Sequence, residues 1–385
     1  EVQVTFKVSY VPGPGDVVGT YEYWCKGIED PRVPVMTYSS MMYSAVKKIN
    51  AKLQVVTPFS PPDTNEDWII FSQVPETSNT KSYFLSQIER LRTIRSHLDS
   101  FSPDIVIVAS DIPTILLFIL KSSRWKLCLS IHNTYWPAGR NPPVGYRAWI
   151  KRRLLQLNLS LVDAAICTSK ECARQLGMLS QRIKIKTELP VVRHKIVPNE
   201  STMVRKLVFL GRIESSKGVF MLADCVNQLS ETVPELICNF AGVGSDSNKF
   251  IDYLSQVNNK NINYLGKLSA EEVHELLHNS DLLVVPTTTA FNEGLALVGF
   301  EAAVHIVPSL FSDVVPAHEY FENACSIFEA DNAKDLELKL KELINNTEYY
   351  LKLKYNLNIH IQELIDHQQS WEDHIISIFK DYQHS

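Results

Sequence analysis

The chain has few glycines and prolines and lacks any long hydrophobic run. Fourteen glycines and 19 prolines in 385 residues are too few for a collagen-like or low-complexity protein. The longest strongly apolar stretch, Ile112–Leu120, is shorter than the roughly 20 apolar residues that a membrane-spanning helix needs. Hydrophobic residues make up 45% and charged residues 21% of the chain, proportions typical of globular rather than disordered proteins. Length and composition therefore predict a soluble protein of two domains.

The seven cysteines lack the pattern of a disulfide framework or a zinc site. Their number is odd, they are scattered, and none lies in a Cys-x-x-Cys motif. We therefore expect a reducing, cytoplasmic compartment in which most of these thiols act as small core residues. The first residues also show no signal-peptide pattern, and the chain does not begin with Met, so the sequence does not define its true start.

Charge is distributed unevenly along the chain. Residues 1–200 contain 25 Lys and Arg against 17 Asp and Glu, whereas residues 201–385 contain 13 against 26. A basic first half indicates contact with something anionic. Its segment Trp149-Ile-Lys151-Arg152-Arg153 is typical of a helix on an anionic membrane, and an ordinary solvated helix face is the alternative. Nucleic acid is not an expected partner, because the whole chain is acidic and contains no recognisable binding module.

Short runs rich in Val, Ile and Leu alternate with longer helical patterns along most of the sequence. In the first half the predicted strands are Val2–Tyr10, Leu53–Thr57, Trp68–Phe71, Ile105–Ala109, Lys126–Ile131 and Ala164–Thr168. The predicted helices there are Tyr38–Asn50, Ser82–Ser100 and Arg147–Leu159. In the second half the predicted strands are Lys206–Leu210, Leu236–Ala241, Asn261–Tyr264, Leu282–Val285 and Val304–Pro308. This alternation predicts βαβ units and parallel sheets covered by helices on both faces.

The best candidate for a connector between the two halves is Pro198-Asn199, which follows an apolar run. We therefore predict an α/β fold with two Rossmann-like, parallel-sheet domains that face each other across a cleft. The final segment, Ser370–Lys380, is predicted to be an amphipathic helix. Open parallel sheets bind ligands beyond the carboxyl ends of their strands, so the cleft is the expected site.

The most informative segment is Phe209-Leu-Gly-Arg-Ile-Glu-Ser-Ser-Lys-Gly218. A predicted strand ends at Leu210, and two cations, Arg212 and Lys217, lie just before a helix that we expect to start near Ser216. A helix N-terminus suits phosphate, since it offers free N–H groups and the positive end of the dipole. Two cations five residues apart can flank a diphosphate and stabilise it as a leaving group. A solvated turn with incidental cations is the alternative.

A second segment, Phe291-Asn-Glu-Gly-Leu-Ala-Leu-Val-Gly-Phe-Glu-Ala-Ala303, contains two carboxylates eight positions apart. On a helix, Glu293 and Glu301 would lie about 80° apart on successive levels, so both could face one ligand. One carboxylate could accept hydrogen bonds from sugar hydroxyls and the other from a ribose diol, while Gly294 would allow close backbone approach. Two exposed helix glutamates are the alternative, although the apolar run between them indicates a buried segment.

Together, four segments resemble the donor-binding half of glycosyltransferase family 4: FLGRIESSKG, FAGVGSD, YLGKLSAEEVHELLHNSDLLVVPT and NEGLALVGFEA. These are retaining nucleotide-sugar transferases with the GT-B fold, and Glu293 and Glu301 match the family's signature pair. The resemblance covers residues 204–303 well. It extends more weakly over the first half through SPDIVIVASD, LSIHNTYWP, AAICTSKECARQL and KIVPNE.

The terminal segment SWEDHIISIF also belongs to the resemblance. In this family it crosses back onto the N-terminal domain. The resemblance therefore implies an acceptor-side domain of residues 1–197 together with the helix 368–385. Residues 198–367 would form the donor-binding domain.

The resemblance also implies roles for individual residues. Arg212 and Lys217 would hold the donor diphosphate, Glu293 would bind the transferred sugar, and Glu301 would hold the ribose hydroxyls. His132 matches a family histidine near the transferred sugar, whereas a loop hydrogen bond is the alternative for a lone histidine. The other residues implied to contact the nucleotide, its phosphates or the sugar are Gly242, Gly244, Lys267, Leu268, Gly294 and Leu295. Gly15 would lie in a loop that wraps the phosphates or the acceptor, although a turn explains its glycines equally well.

The resemblance implies a chemistry as well. Anomeric configuration would be retained without an established protein nucleophile, and the departing phosphate would help to deprotonate the acceptor hydroxyl. No Asp-x-Asp motif occurs, so we predict no metal, and no cofactor besides the donor substrate. The expected reaction moves a hexose or N-acetylhexosamine from a UDP-sugar, rather than a GDP-sugar, to a glycan or lipid-linked acceptor at the inner face of the membrane. A catalytically weak scaffold subunit and a sugar-nucleotide 2-epimerase are the alternatives.

The chain departs from the family pattern at several positions. A glycine usually comes just before a proline after the second glutamate, whereas here Ile306 stands two residues before Pro308. The segment Ser309–Pro316 replaces a glycine-rich loop. Glu200 stands where a glycine commonly follows Pro-Asn, and Asp16 where a second glycine is common. These departures concern the acceptor side and the shape of the sugar pocket.

Overall fold

The structure, a computed structural model, describes residues 5–13, 15–32, 37–64, 66–75, 83–109, 112–187, 197–366 and 370–383. These residues form two parallel β-sheets, one in each half of the chain. Each sheet separates two apolar cores, because helices pack on both of its faces. The predicted fold class, two Rossmann-like domains with parallel sheets, is confirmed.

In the described residues the first sheet has seven parallel strands in the order β3-β2-β1-β4-β5-β6-β7. The strands are β1 Lys7–Val11, β2 Lys52–Thr57, β3 Ile69–Gln73, β4 Ile105–Ala109, β5 Lys126–Ile131, β6 Ala164–Cys167 and β7 Lys184–Thr187. Strands buried on both faces read as nearly continuous apolar runs, which is why the central ones were predictable. The edge strand β7 was missed, since its sequence Lys-Ile-Lys-Thr is only partly buried. Residues 2–4 of the predicted strand Val2–Tyr10 lie outside the described residues.

Of the five α-helices described in this half, three begin at a residue whose side chain caps them. The five helices are α1 Val17–Cys25, α2 Tyr38–Lys48, α3 Tyr83–Phe101, α4 Tyr146–Leu159 and α5 Lys170–Leu179, with a short 3-10 helix, Thr114–Ile119, after β4. The side chains of Asp16, Thr37 and Ser169 accept hydrogen bonds from backbone N–H groups in the first turns of α1, α2 and α5. Such capping satisfies groups that have no partner within the helix, and it fixes where each helix starts.

The second sheet has six parallel strands within the described part of the chain, in the order β10-β9-β8-β11-β12-β13. The strands are β8 Lys206–Leu210, β9 Ile237–Ala241, β10 Ile262–Gly266, β11 Leu282–Val285, β12 Ser309–Ser312 and β13 Ser326–Phe328. The helices are α6 Val219–Leu229, α7 Ser247–Val257, α8 Ala270–His278, α9 Val298–Val304, α10 His318–Phe321, α11 Ala333–Asn345, α12 Thr347–Asp366 and α13 Trp371–Gln383.

The predicted strand Val304–Pro308 is wrong. Helix α9 runs through Val304, and the strand that follows is β12, at Ser309–Ser312. The apolar run resembled a buried strand because Val304, Ile306 and Val307 are all at most 4% exposed. Ile306 has a φ of 53°, in the left-handed region that favours glycine and strains a β-branched residue. A glycine, which the family resemblance led us to expect near this point, would suit that backbone conformation.

Helix α13 packs against the first half of the chain. Trp371, Ile375 and Phe379 lie in the apolar core that also contains residues of β1, α1 and α2. Lys48 of α2 forms an ion pair with Glu372 of α13 at 2.6 Å. The core of the first half is therefore built from residues at both ends of the described chain.

The cysteines are packed as small core residues. All seven are free thiols, and all except Cys25 are buried. Burial raises the pKa of the Cys172 thiol to about 11 and that of Cys225 to about 12. These thiols therefore stay protonated and contribute through packing.

Candidate functional site

The two halves meet across a cleft at the carboxyl ends of their strands. The Thr134 hydroxyl, just beyond β5, donates a hydrogen bond to the backbone oxygen of Glu293 at 3.2 Å. Arg140 makes two hydrogen bonds to the carboxylate of Asp313, which follows β12, at 2.9 and 3.0 Å. Residues far apart in sequence thus form both walls of one site.

Gly294 lies against the backbone of the opposite half. A Cβ placed on this glycine would lie 1.7 Å from the carbonyl oxygen of His132. Only a residue without a side chain allows that approach, so Gly294 sets how closely the two halves can meet. The sequence suggested that Gly294 allows a close approach of the backbone. In this structure the group that it approaches is the backbone of the other half.

Gly242 and Gly244 let two loops of the second half pack together. A Cβ on Gly242 would lie 1.9 Å from the Gly211 oxygen, and one on Gly244 would lie 2.4 Å from the Ile213 oxygen. Both glycines therefore hold the loop after β9 against the loop after β8. That contact shapes the surroundings of Arg212, which lies between Gly211 and Ile213.

The helix after β8 starts later than predicted. A short 3-10 turn, Ser215–Lys217, comes first, and α6 begins at Val219 rather than near Ser216. Gly218 separates the two with a φ of 75°, and a Cβ there would lie 1.9 Å from the Pro286 oxygen. This packing fixes Lys217 in the turn, against the segment that follows β11.

Both predicted cations lie over the ring of Phe291. The Arg212 guanidinium carbon is 5.0 Å and the Lys217 Nζ is 3.8 Å from the ring centroid. Cation–π contacts of this kind contribute roughly 0.5–2 kcal/mol each. Phe291 therefore holds the two cations on one side of the cleft. Sequence reasoning gave this ring no role, although its place two residues before Glu293 was an available signal.

Lys217 and Glu293 form a nearly buried ion pair. Lys217 Nζ lies 2.5 Å from Glu293 Oε2, and the two side chains are 14% and 10% exposed. The Thr287 hydroxyl donates to the same oxygen at 3.2 Å. Removing either partner of such a pair leaves a desolvated charge, so the two residues depend on each other. The pair places a cation and a hydrogen-bond acceptor side by side.

A cavity of about 320 Å³ lies beyond β8, β9 and β10. The predicted residues that line it are Arg212, Gly242, Lys267, Leu268 and Glu301. Its volume is at the lower end of the range for small-molecule sites. Burial raises the pKa of Glu301 to about 7, so its carboxyl group changes protonation near neutral pH. The cavity is thus lined by cationic side chains, by apolar side chains and by one carboxyl group that changes its charge near neutral pH.

Glu293 and Glu301 do not lie on one helix, contrary to the prediction. Ala296 between them has a φ of 68°, and α9 begins only at Val298. The backbone turns at Ala296 instead of continuing a helix. Glu293 consequently faces Lys217 from a loop, whereas Glu301 faces the cavity from the first turn of α9.

His132 follows β5, and its backbone oxygen lies against Gly294 of the second half. Its Nε2 lies 2.8 Å from the Ser130 hydroxyl, and its ring lies 4.4 Å from that of Tyr38. Burial lowers the pKa of His132 to about 4, so the ring is neutral at physiological pH. His132 can therefore exchange hydrogen bonds with a ligand but does not offer it a positive charge.

Gly15 lies at the surface, whereas Leu295 lies in an apolar core. Gly15 is exposed and precedes α1, whose N-cap is Asp16. Asp16 also pairs with Arg32 at 2.5 Å, so a carboxylate occupies the place where a phosphate would approach that helix. The Leu295 side chain is 4% exposed within an apolar core.

Helix α4 carries the basic segment found in the sequence. Its exposed large apolar side chains are Tyr146, Trp149, Leu154 and Leu157, and Phe118 of the 3-10 helix lies exposed beside them. Lys151 and Arg153 are exposed on the same helix. We call this surface the α4 face. Among the described residues, no helix has the length and apolar character needed to span a bilayer.

Comparison with known proteins gives two family matches that together span most of the chain. Residues 193–358 match the family described as "Glycosyl transferases group 1", and residues 43–185 match "Glycosyltransferase Family 4". An uncharacterized glycosyltransferase of Methanocaldococcus jannaschii is 27% identical over 225 residues, which are 57% of this chain and 59% of that protein. The chain thus aligns with less than two thirds of that relative's length.

Solved structures share the fold at low sequence identity. Sucrose-phosphate synthase from Thermosynechococcus elongatus has a TM-score of 0.70 and 12% identity, and the match covers 98% of each chain. An Anabaena protein in complex with UDP and glucose has a TM-score of 0.62 and 12% identity, with 98% of this chain and 99% of that one covered. Both likenesses extend over the two sheets and the cleft between them.

Proposed function

Because this chain belongs to glycosyltransferase family 4 and has the GT-B fold, we propose that it transfers a hexose or N-acetylhexosamine from a nucleotide diphosphate sugar to a hydroxyl group. The observation that carries this proposal is the cluster of Arg212, Lys217 and Glu293 around Phe291. Within one cleft it offers two cations to a diphosphate and a carboxylate to sugar hydroxyls.

On the donor side, Arg212 and Lys217 hold the diphosphate and stabilise the charge that grows on it as its bond to the sugar breaks. Lys217 is already fixed by Glu293 and Phe291, so it needs little reorganisation when the donor binds. Both Lys217 and Thr287 contact Oε2 of Glu293. We assign its other oxygen, Oε1, to the hydroxyls of the transferred sugar.

The 320 Å³ cavity is the place we assign to the nucleoside. Glu301 accepts hydrogen bonds from the ribose diol, while Gly242, Lys267 and Leu268 surround the base. We favour UDP as the nucleotide. The Glu-Gly-Leu sequence at Glu293 resembles that of relatives with uridine donors, and the similar Anabaena structure contains UDP and glucose.

Transfer proceeds with retention of configuration in this proposal. The departing phosphate accepts the proton of the acceptor hydroxyl on the same face of the sugar, and neutral His132 hydrogen-bonds the sugar from the opposite wall. Two protein cations neutralise the phosphate charge, so the reaction needs no divalent metal.

The acceptor is a glycan or a lipid-linked hydroxyl, and the enzyme works at the cytoplasmic face of an anionic membrane. The α4 face supports this part of the proposal. Trp149 is 57% exposed and Leu157 is 66% exposed beside Lys151, Arg152 and Arg153. Apolar side chains that enter the headgroup region, flanked by cations, are typical of membrane-surface helices.

The donor half of the proposal is tested by measuring release of the nucleoside diphosphate from UDP-, GDP- and ADP-sugars without added metal. Arg212→Ala should lower release from the preferred donor about 10²–10³-fold, because a preorganised charge contact is lost. Arg212 is more than half exposed, so the change costs little stability. Lys334→Ala, an exposed lysine on α11, is the matched control and should leave release unchanged.

Two outcomes would contradict the proposal. Tight nucleotide binding without turnover, even after addition of lipid extract, would favour a scaffold. Conversion of a nucleotide sugar without nucleotide release would favour an epimerase.

The membrane contact is tested by sedimentation with phosphatidylcholine vesicles that do or do not contain phosphatidylserine. The protein should bind only the anionic vesicles, and less at high salt. Trp149→Ser should weaken binding severalfold. Leu338→Ser, which removes an exposed leucine on α11, should not. Equal binding to both kinds of vesicle would contradict a role for the basic residues.

A further inference from the structure

His132 belongs to a series of three aromatic rings. Its ring centroid lies 4.4 Å from that of Tyr38, the first residue of α2. The Tyr38 ring in turn lies 5.6 Å from the ring of Trp371, the first residue of α13. The histidine that we assign to the transferred sugar thus lies in one cluster with the last helix of the described chain.

Hydrogen bonds join His132 to the same helix through a serine. Trp371 Nε1 lies 3.3 Å from the hydroxyl oxygen of Ser130, and that oxygen lies 2.8 Å from Nε2 of His132. Ser130 is on β5 and is 2% exposed, while Trp371 is 1% exposed. Water therefore has little access to the serine that joins the indole to the imidazole.

The chemistry of these three groups decides which of them donates in each hydrogen bond. An indole N–H can only donate, so Ser130 accepts from Trp371. The serine hydroxyl also has one hydrogen of its own, and within the described part of the chain its other partner is Nε2 of His132. A buried hydroxyl hydrogen without an acceptor is destabilising, so Ser130 donates this hydrogen to Nε2.

The direction of this bond determines the tautomer of His132. Burial lowers the pKa of His132 to about 4, so the ring is neutral at physiological pH. A neutral imidazole that accepts a hydrogen bond at Nε2 carries its hydrogen on Nδ1. Among the residues that the structure describes, none accepts a hydrogen bond from this Nδ1. The Nδ1–H group is therefore available to a ligand.

We propose that Ser130 and Trp371 are positioning residues, which hold His132 in the tautomer with hydrogen on Nδ1 and make it a hydrogen-bond donor to an oxygen of the transferred sugar. The opposite tautomer would present a nitrogen lone pair at Nδ1 and would accept instead. The inference rests on the proposed transferase function and deepens its assignment of His132. It also gives α13 a part in the site, because Trp371 acts through Ser130 and does not need to touch the ligand.

The tautomer is tested by NMR of the ligand-free protein labelled with ¹⁵N-histidine at neutral pH, with His132→Gln used to identify the signals of this ring. In the wild type, Nδ1 should show the lower ¹⁵N shift of a nitrogen that carries hydrogen, and Nε2 the higher one. In Ser130→Ala the two shifts should move towards each other, because the ring can then place its hydrogen on either nitrogen. Trp371→Phe keeps an aromatic ring but frees a lone pair on Ser130 for an Nε2–H group, so it should cause a smaller change in the same direction.

Two variants that each remove one buried hydrogen bond elsewhere in the first half are the matched controls. Ser9→Ala removes the bond from the Ser9 hydroxyl to Gln54 on the neighbouring strand. Trp125→Phe removes the bond from the indole to the Leu120 carbonyl oxygen. Ser9 and Trp125 are at most 3% exposed, as Ser130 and Trp371 are. Both controls should leave the His132 signals unchanged, which separates a specific effect from a general loss of stability.

Kinetics provide a second readout. Ser130→Ala should lower kcat for nucleotide release from the preferred donor about 3–10-fold, which is the effect of one hydrogen bond. The Kd of the matching nucleoside diphosphate should not change, because that ligand lacks the sugar that His132 contacts. An equal loss of nucleotide affinity and of kcat would contradict a role at the sugar.

The spectra alone can overturn the proposal. A wild-type ring with its hydrogen on Nε2 would contradict the tautomer. Unchanged shifts in Ser130→Ala would exclude the role of the serine, and unchanged shifts in Trp371→Phe would exclude that of α13. If the spectra agree with the proposal but no donor sugar releases its nucleotide, the tautomer stands and the transferase function fails.

Discussion

Replacing Glu301 by Gln tests the buried carboxyl group of the nucleoside cavity. Burial raises its pKa to about 7 from a usual value of 4.5. At 1.36 kcal/mol per pKa unit, the charged form costs about 3 kcal/mol of folding free energy. The folded protein holds this proton more tightly than the unfolded chain does. The stabilisation of the folded protein by the bound proton on Glu301 is therefore complete below pH 4.5, and it is lost as the pH rises to about 7.

Gln cannot ionise, so Glu301→Gln should become more stable than the wild type as the pH rises. Melting temperatures of the ligand-free proteins should nearly coincide at about pH 4.5, where the wild-type carboxyl is neutral as well. The variant should melt about 6–12 °C higher by about pH 8, since 1 kcal/mol shifts Tm by about 2–4 °C at this size. UDP binding should change in the opposite sense. It should weaken about 10–100-fold at that pH, because hydrogen bonds from the ribose to a charged acceptor are lost.

The assay is a thermal melt of both proteins across this pH range, paired with UDP titrations. Glu231→Gln, an exposed glutamate after α6, is the control and should follow the wild type throughout. A Tm difference that does not vary with pH would refute the burial argument. Unchanged UDP affinity would refute the assignment of the ribose to Glu301.

Two further substitutions test the close contact between the two halves and the aromatic ring that lies beneath Arg212 and Lys217. Gly294→Ala would drive a Cβ to within 1.7 Å of the His132 oxygen, so the halves must separate. Turnover should fall at least about 100-fold with UDP binding kept, whereas Gly177→Ala, where a Cβ meets no atom within 4 Å, should change neither measurement. Phe291→Leu removes the ring under both cations and should lower kcat/KM for the donor about tenfold, while Phe291→Tyr should retain activity. Equal activity of the Leu and Tyr variants would exclude an aromatic role.

The sequence predicted those parts of the molecule that depend on local pattern. Buried parallel strands are continuous apolar runs, so most strands of both sheets could be recognised in the sequence. The exceptions include the edge strand β7, which was missed, and β12, which was predicted a few residues too early. Arg212 and Lys217 were found because they follow a strand within a few residues. The loop after β8 then brings them together with Glu293, which lies after another strand of the same sheet.

The sequence could not predict what depends on backbone turns and on contacts between the halves. The positive φ of Ala296 interrupts the helix that was predicted to carry both glutamates. An apolar run contains no sequence signal that would predict such a turn. The position of Phe291 under two cations appears only when β8 and β11 are neighbours. The same holds for Gly294 and His132, which belong to different halves and meet only in the folded protein.

The place of helix α13 has a consequence for the order in which the protein is made. Trp371, Ile375 and Phe379 are at most 1% exposed, and they fill the core beside β1 and α2. A ribosome delivers these residues only after the whole second half has emerged. The second half can complete both of its apolar cores while the first sheet still lacks helix α13 on one of its faces. The half that is synthesised first is therefore finished last, and until then its exposed apolar surface is open to chaperones.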